Sequence, residues 1–165
     1  MAELTPFEKL QPCLLDRLTD DEPNKQQESR MKRVLSLQRY RQAVLRDLAW
    51  LLNTYANAEQ EGLDEFEEVP SSVLNYGIQN GAGMTASNVS ADEMRYRLTE
   101  AIQRFEPRII ANTISITIGV NPEEMTRRSI RFEIRGDLWA QPLPESLFIA
   151  TELDLETGKS KLTGG

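Results

Sequence analysis

Apolar residues recur along this chain with two different periods, and the period changes over at a single place. Met94, Leu98, Ala101, Ile102 and Phe105 follow helical spacing on one face. From Ile110 onward, Ile114, Ile116, Ile118 and Val120 alternate with smaller polar residues, the signature of a strand with one buried face. Upstream, Ser90-Ala-Asp-Glu93 reads as a capping box, with the serine oxygen taking an early N–H and the glutamate reaching back to the cap. Pro107 lacks an N–H and disfavours the helical conformation at Glu106. The pattern therefore predicts a helix over 91–106 and a strand over 110–120. Glu106 and Arg108 stand at the changeover, either as a surface ion pair worth about 0–1 kcal/mol or as a rigid charged feature offered to a partner.

The remaining pattern fills in around this junction. Leu37, Tyr40, Val44, Leu48, Leu51 and Tyr55 form one stripe, widened by Leu45 and Leu52, which predicts a long helix over 34–56. Trp50 lies off that stripe, where it either covers the helix edge or belongs to an interface, the edge being favoured. Phe7, Leu10, Leu14 and Leu18 make a narrow stripe in a shorter helix that Pro12 either bends or marks at its first turn, followed by a polar linker over 23–30. Val73–Ile78 is an apolar turn, 80–89 a flexible connection, and Asn121-Pro-Glu-Glu a turn signal. Ile130, Phe132 and Ile134 alternate with charges over 128–135, and Leu147, Ile149, Thr151 and Leu153 mark a further strand. Residues 136–144 read as an extended connection and 158–165 as a frayed tail. Helices followed by antiparallel strands imply an α+β fold: three main helices on a small antiparallel sheet of about three strands. The expected organisation is a short helix and linker over 1–30, one domain over 31–157, and a flexible tail over 158–165.

Charge narrows the function. A net charge of −7 argues against general nucleic-acid binding, whose affinity comes largely from neutralising phosphates. The charge is also segregated: Arg30, Lys32, Arg33, Arg39, Arg41 and Arg46 come with no acid between them, while 59–68 carries six acids and no base. A basic helix face beside an acidic loop points to oriented docking with protein partners. One cysteine, Cys13, can form no internal disulfide, which fits a reducing compartment. The absence of histidine removes the usual general base and the commonest metal ligand, so no cofactor or metal is expected. No export signal or membrane-spanning run is evident, which gives a cytoplasmic expectation.

Several segments together carry a resemblance. Leu14-Leu-Asp-Arg-Leu-Thr-Asp-Asp21, Val44-Leu-Arg-Asp-Leu-Ala-Trp-Leu-Leu-Asn-Thr54, Val73-Leu-Asn-Tyr-Gly77, Phe105-Glu-Pro-Arg-Ile109, Phe132-Glu-Ile-Arg-Gly-Asp-Leu-Trp139 and Pro142-Leu-Pro-Glu145 occur in this order. They resemble the TssE family, baseplate subunits of the type VI secretion system within the lysozyme-like baseplate wedge family of contractile phage tails. The Glu106-Pro107-Arg108-Ile109 string resembles that family's hallmark, at the same place between helix and strand. The resemblance implies a structural protein of a contractile injection machine, assembled on a cytoplasmic baseplate at the inner membrane. Its implied partners are TssF, TssG and TssK, the VgrG spike hub, and contractile sheath subunits, which the family also resembles. The residues expected to meet partners are Glu106, Pro107, Arg108 and Ile109, with Arg39, Arg41 and Arg46 on the basic helix.

Two other classes compete. A lysozyme-like glycoside hydrolase needs two carboxylates, and Glu106, Glu133 and Asp137 could be cast in those roles. Arg108 two residues from Glu106 favours the charged carboxylate over a general acid, so the expectation is no enzyme and no catalytic residue. A small regulatory binding module of the same fold, like a sigma-factor anti-adaptor family, would require neither the basic helix nor the Glu-Pro-Arg-Ile junction. Either edge of so small a sheet could template an added strand.

Overall fold

The computed structural model describes residues 13–19, 23–24, 37–57, 65–79, 90–119, 129–140 and 143–163. Among the described residues, three α-helices, α1 (Leu14–Leu18), α2 (Leu37–Leu52) and α3 (Ala91–Phe105), accompany four strands. These are β1 (Ser115–Gly119), β2 (Ser129–Leu138), β3 (Glu145–Asp154) and β4 (Ser160–Thr163), and they form one antiparallel meander in the order β1-β2-β3-β4. The α+β expectation holds, with four strands where about three were expected.

The helices bury the stripes that their spacing marks. Val44, Leu48, Leu51 and Leu52 of α2 meet Leu98 and Ile102 of α3 in one core, over the inward residues of β2 and β3 such as Phe132, Ile134 and Ile149. Burying each of these large side chains is worth about 1.5–3 kcal/mol. Leu37 and Tyr55, the ends of the expected stripe, are exposed. α2 stops at Leu52, where two side chains take over its last carbonyls: Asn53 Nδ2 donates to Ala49 O at 2.8 Å and Thr54 Oγ1 to Trp50 O at 2.8 Å. The chain then pairs Tyr55 with Ile78 in a parallel bridge. Gly77, at φ +132°, permits this approach, since a Cβ there would lie 2.4 Å from Thr54 O.

At α3 the Ser90 side chain accepts from Glu93 N at 3.3 Å, as expected of the cap. The Glu93 carboxylate turns instead to Arg97 one turn later, at 2.7 Å, so the reciprocal half of the capping box is replaced by an ion pair. Leu14 and Leu18 of α1 are exposed and do not enter the core, contrary to the apolar stripe expected there. Phe7, Leu10 and Pro12, residues 34–36, the 80–89 connection and the Asn121–Glu124 turn lie outside the described residues.

The strand expected over 110–120 is shorter. Ile109 bridges Leu138, a 3-10 turn follows at Ala111–Thr113, and only then does β1 begin. The turn exists because Thr113 Oγ1 donates to Ile110 O at 2.7 Å and accepts from Asp137 N at 2.8 Å, replacing ladder bonds with side-chain ones. Gly136 opposite leaves room for it, since a Cβ there would stand 2.9 Å from Ile109 Cγ2. β2 runs to Leu138, further than the expected 135. The expected tail contains β4: Asp154 Oδ1 accepts from Glu156 N and Thr157 N, folding the chain back so that Ser160–Thr163 pair with β3.

Candidate functional site

The junction between α3 and the sheet is held from three directions. Glu106 caps α3 through its N–H to Ile102 O at 2.9 Å. Beyond Pro107, Trp139 N donates to Arg108 O and Ile110 N to Asp137 O, both at 2.8 Å, which fastens the segment to the end of β2. Glu106 itself is 3 % exposed. The expectation of a surface pair is therefore corrected: its carboxylate is enclosed, and a buried charge must be paired. Arg108 supplies the pairing. Its Nε donates to Glu106 Oε1 at 2.6 Å, its Nη2 to Glu106 Oε2, and its main-chain N to Oε1 at 3.3 Å.

The same guanidinium reaches α2, where Nη2 donates to Asp47 Oδ2 at 2.6 Å. Asp47 Oδ1 accepts from Arg46 Nε at 2.8 Å, and Arg46 Nη1 donates to Asp16 Oδ1 of α1 at 2.7 Å. Asp16 Oδ2 in turn accepts from Cys13 Sγ at 2.9 Å. The outcome is an alternating ladder Glu106–Arg108–Asp47–Arg46–Asp16, three carboxylates against two guanidiniums, which ties α1, α2 and the junction together. Burial works against the charge on Arg108, but hydrogen bonds and attraction from Glu106 and Asp47 raise its pKa; Asp16 and Asp47 do the same for Arg46. Burial also pushes the Tyr40 phenol up, with Arg108 pulling it down and Glu106 adding to the rise. Tyr76 packs its ring edge-on to Phe105 at 5.1 Å and is raised by burial, then by Asp47 and Glu106.

Among the expected site residues, the structure brings Glu106, Arg108 and Arg46 into one ladder. Ile109 is buried in the core and Pro107 is exposed at the tip of the turn. Arg41 lies apart, its Nη1 3.7 Å from Glu145 Oε1, and Arg39 is exposed on the first turn of α2. The basic face is thus partly answered within the chain. Arg46 is engaged by two carboxylates and also lies over the Trp50 ring at 5.1 Å, which accounts for the exposed tryptophan off the stripe. Asp47 and Asp16 were missed as site residues. Asp47 directly follows Arg46, but no spacing in the chain links either carboxylate to Arg108.

Of the carboxylates weighed for catalysis, Glu106 has both oxygens on Arg108, Glu133 pairs with Arg135 at 3.0 Å, and Asp137 Oδ1 accepts from Ser146 Oγ at 3.1 Å. Among the described residues no cluster of three or more His, Cys, Asp or Glu side chains could hold a metal ion, and no helix is long and apolar enough to cross a membrane.

A family model described as baseplate wedge protein gp25 matches residues 38–143, from the first turn of α2 through α3, the junction, β1 and β2, ending just before β3. No curated protein and no solved structure matches the chain.

Proposed function

Because the chain belongs to the baseplate wedge protein gp25 family, we propose that it is the TssE-type wedge subunit of a type VI secretion system, acting by holding other proteins in place. Its partners in this reading are TssF, TssG and TssK, arranged around a VgrG spike hub, with contractile sheath subunits added afterwards. The assembly sits in the cytoplasm on a baseplate at the inner membrane. Support for the type VI assignment comes from the six resembling segments, which run in order across nearly the whole chain.

The observation that carries the reading is the clamp of Arg108 on Glu106 and Asp47. A wedge subunit must present its contact surface in one geometry, and a junction fixed before binding lowers the ordering cost of assembly. Pro107 at the exposed tip and the open part of Arg108 are the groups that meet a wedge partner; Glu106 and Ile109 hold them there. Arg39 and Arg41 extend this surface as basic contacts along α2, while Arg46 acts inside the ladder. We read the chain as non-catalytic, since each carboxylate suited to a glycosidase role is committed to a neighbour. The test is to follow a fluorescent sheath subunit in cells lacking this chain. The reading expects sheaths to disappear and to return when the chain is restored; normal sheath numbers without it would refute the role.

A further inference from the structure

α1 is held in place by charge and not by packing. None of its residues is buried, and Leu14 and Leu18 stand 70 % and 74 % exposed, so its apolar side chains contribute little to docking. Among the described residues, the side-chain contacts that tie it to the rest of the fold converge on Arg46. Arg46 Nη1 donates to Asp16 Oδ1 at 2.7 Å, and Arg46 Nη2 stands 4.0 Å from Cys13 Sγ. An element anchored through one ion pair, with no buried apolar contact, belongs to the low end of local stability.

Arg46 in turn shares Asp47 with Arg108. Asp47 Oδ1 accepts from Arg46 Nε at 2.8 Å and stands 2.7 Å from Arg46 Nη2, while Oδ2 accepts from Arg108 Nη2 at 2.6 Å. A guanidinium and a carboxylate pair best as a fork, with two parallel bonds that use both oxygens. Arg46 does not complete that fork. Arg108 holds the second oxygen of Asp47, and Asp16 holds Arg46 Nη1, which keeps the guanidinium turned toward α1. The carboxylate is thus divided between two cations, and α1 controls the division.

Resting on the role proposed above for the junction, we propose that Asp16 is a positioning residue for Arg108, acting through Arg46 and Asp47. While α1 is docked, Asp16 satisfies Arg46, and Asp47 leaves its Oδ2 to Arg108. When α1 lifts, Arg46 loses that carboxylate and closes its fork on both oxygens of Asp47. Arg108 then keeps only Glu106, two residues away, and the junction loses its tie to α2. The short helix therefore acts as a strap: the contact surface at Pro107 and Arg108 is fixed while the strap is down and loosened by whatever lifts it.

Amide hydrogen exchange on the free, full chain tests this. Ile109 N donates to Glu106 O and Ile110 N to Asp137 O, so both amides report opening of the junction. Asp16→Asn removes the charge that holds Arg46 and keeps the size of the side chain. It is expected to speed exchange of these two amides by about tenfold, with the core amides of Ile102 and Phe132 unchanged. In an Arg46→Met background the competing cation is gone, and Asp16→Asn is expected to leave the junction amides as they were. Junction amides that do not respond to Asp16→Asn with Arg46 present overturn the proposal. Equal acceleration with and without Arg46, or acceleration that extends to Ile102 and Phe132, also overturns it, because Asp16 would then be a general structural support. None of these outcomes bears on the wedge role, since the chain is measured alone and the sheath count tests that role separately.

Discussion

Arg108 and Asp47 meet at 2.6 Å across 61 residues of sequence, and the guanidinium that makes this contact is the one that neutralises the enclosed Glu106. The i, i+2 pair of Glu106 and Arg108 thereby becomes a fastening between α2 and the junction that follows α3. Breaking a buried pair by removing one partner costs far more than a surface pair contributes, because the remaining charge stays behind.

Arg108→Ala is therefore expected to lower unfolding free energy by about 3–5 kcal/mol, since Glu106 is left without its partner in a closed site. Replacing both partners, Glu106→Leu with Arg108→Met, should recover most of that loss because no unpaired charge remains. Urea unfolding of the three chains measures this. An Arg108→Ala protein as stable as the parent would contradict the clamp.

Gly77→Ala should destabilise by about 3 kcal/mol or more, from strain at positive φ combined with a backbone clash. The Cβ would fall 2.4 Å from Thr54 O at φ +132°, and 2.8 Å from Ala56 N, so it would meet backbone on both sides. Gly119→Ala is the control, since its nearest neighbour would be Arg131 O at 3.8 Å. Thermal unfolding should separate the two variants clearly; similar losses would mean the bridge at Tyr55 and Ile78 yields easily.

The elements built by one dominant local signal are those the sequence discloses. The periodicity of Met94 to Phe105 and the serine cap at Ser90 mark α3, and the alternation of Ile130, Phe132 and Ile134 marks β2. Alternation alone overextends β1 because Thr113 substitutes its hydroxyl for ladder bonds, and such a choice depends on Asp137, 24 residues away. β4 is hard to see in the sequence because four residues give little periodicity; Asp154, whose side chain turns the chain toward them, is the sign of it. At the site, Glu106 and Arg108 were visible as a charged interruption of two apolar patterns. Their burial was not, since it depends on Asp47 arriving from another helix.

A pH-dependent latch is expected at α1. Burial pushes the Asp16 carboxyl up, but hydrogen bonds from Cys13 and Arg46 and the Arg46 charge outweigh it and hold the pKa below its ordinary 3.8. The folded pKa lies below the unfolded one, so this contribution is fully present above the ordinary value and is lost as pH falls through the folded one. Trp50, against which Arg46 packs, can report it by fluorescence in a Trp139→Phe background. The signal should be flat from neutral to mildly acidic pH and change below about 3.8. Asp16→Asn should remove that step; a step that survives it would belong to another group.

Arg39 is exposed on α2 and Arg41 partly so. Exposed charges are screened beyond about 8 Å at physiological salt. Association with wedge partners should slow as salt rises from low ionic strength, by stopped-flow or surface-based kinetics. Rates independent of salt would remove steering by this face.

The central claim is that a braced junction is what the wedge recognises. Affinity purification of the full chain with TssF- and TssG-type subunits, using the parent and the Glu106→Leu/Arg108→Met variant at matched folded concentration, measures that directly. The parent is predicted to recover both wedge subunits, and the variant, folded but without its clamp, to recover at least about tenfold less, the equivalent of 1.4 kcal/mol. A parent that recovers neither subunit, or a variant that recovers them equally well, would contradict the account.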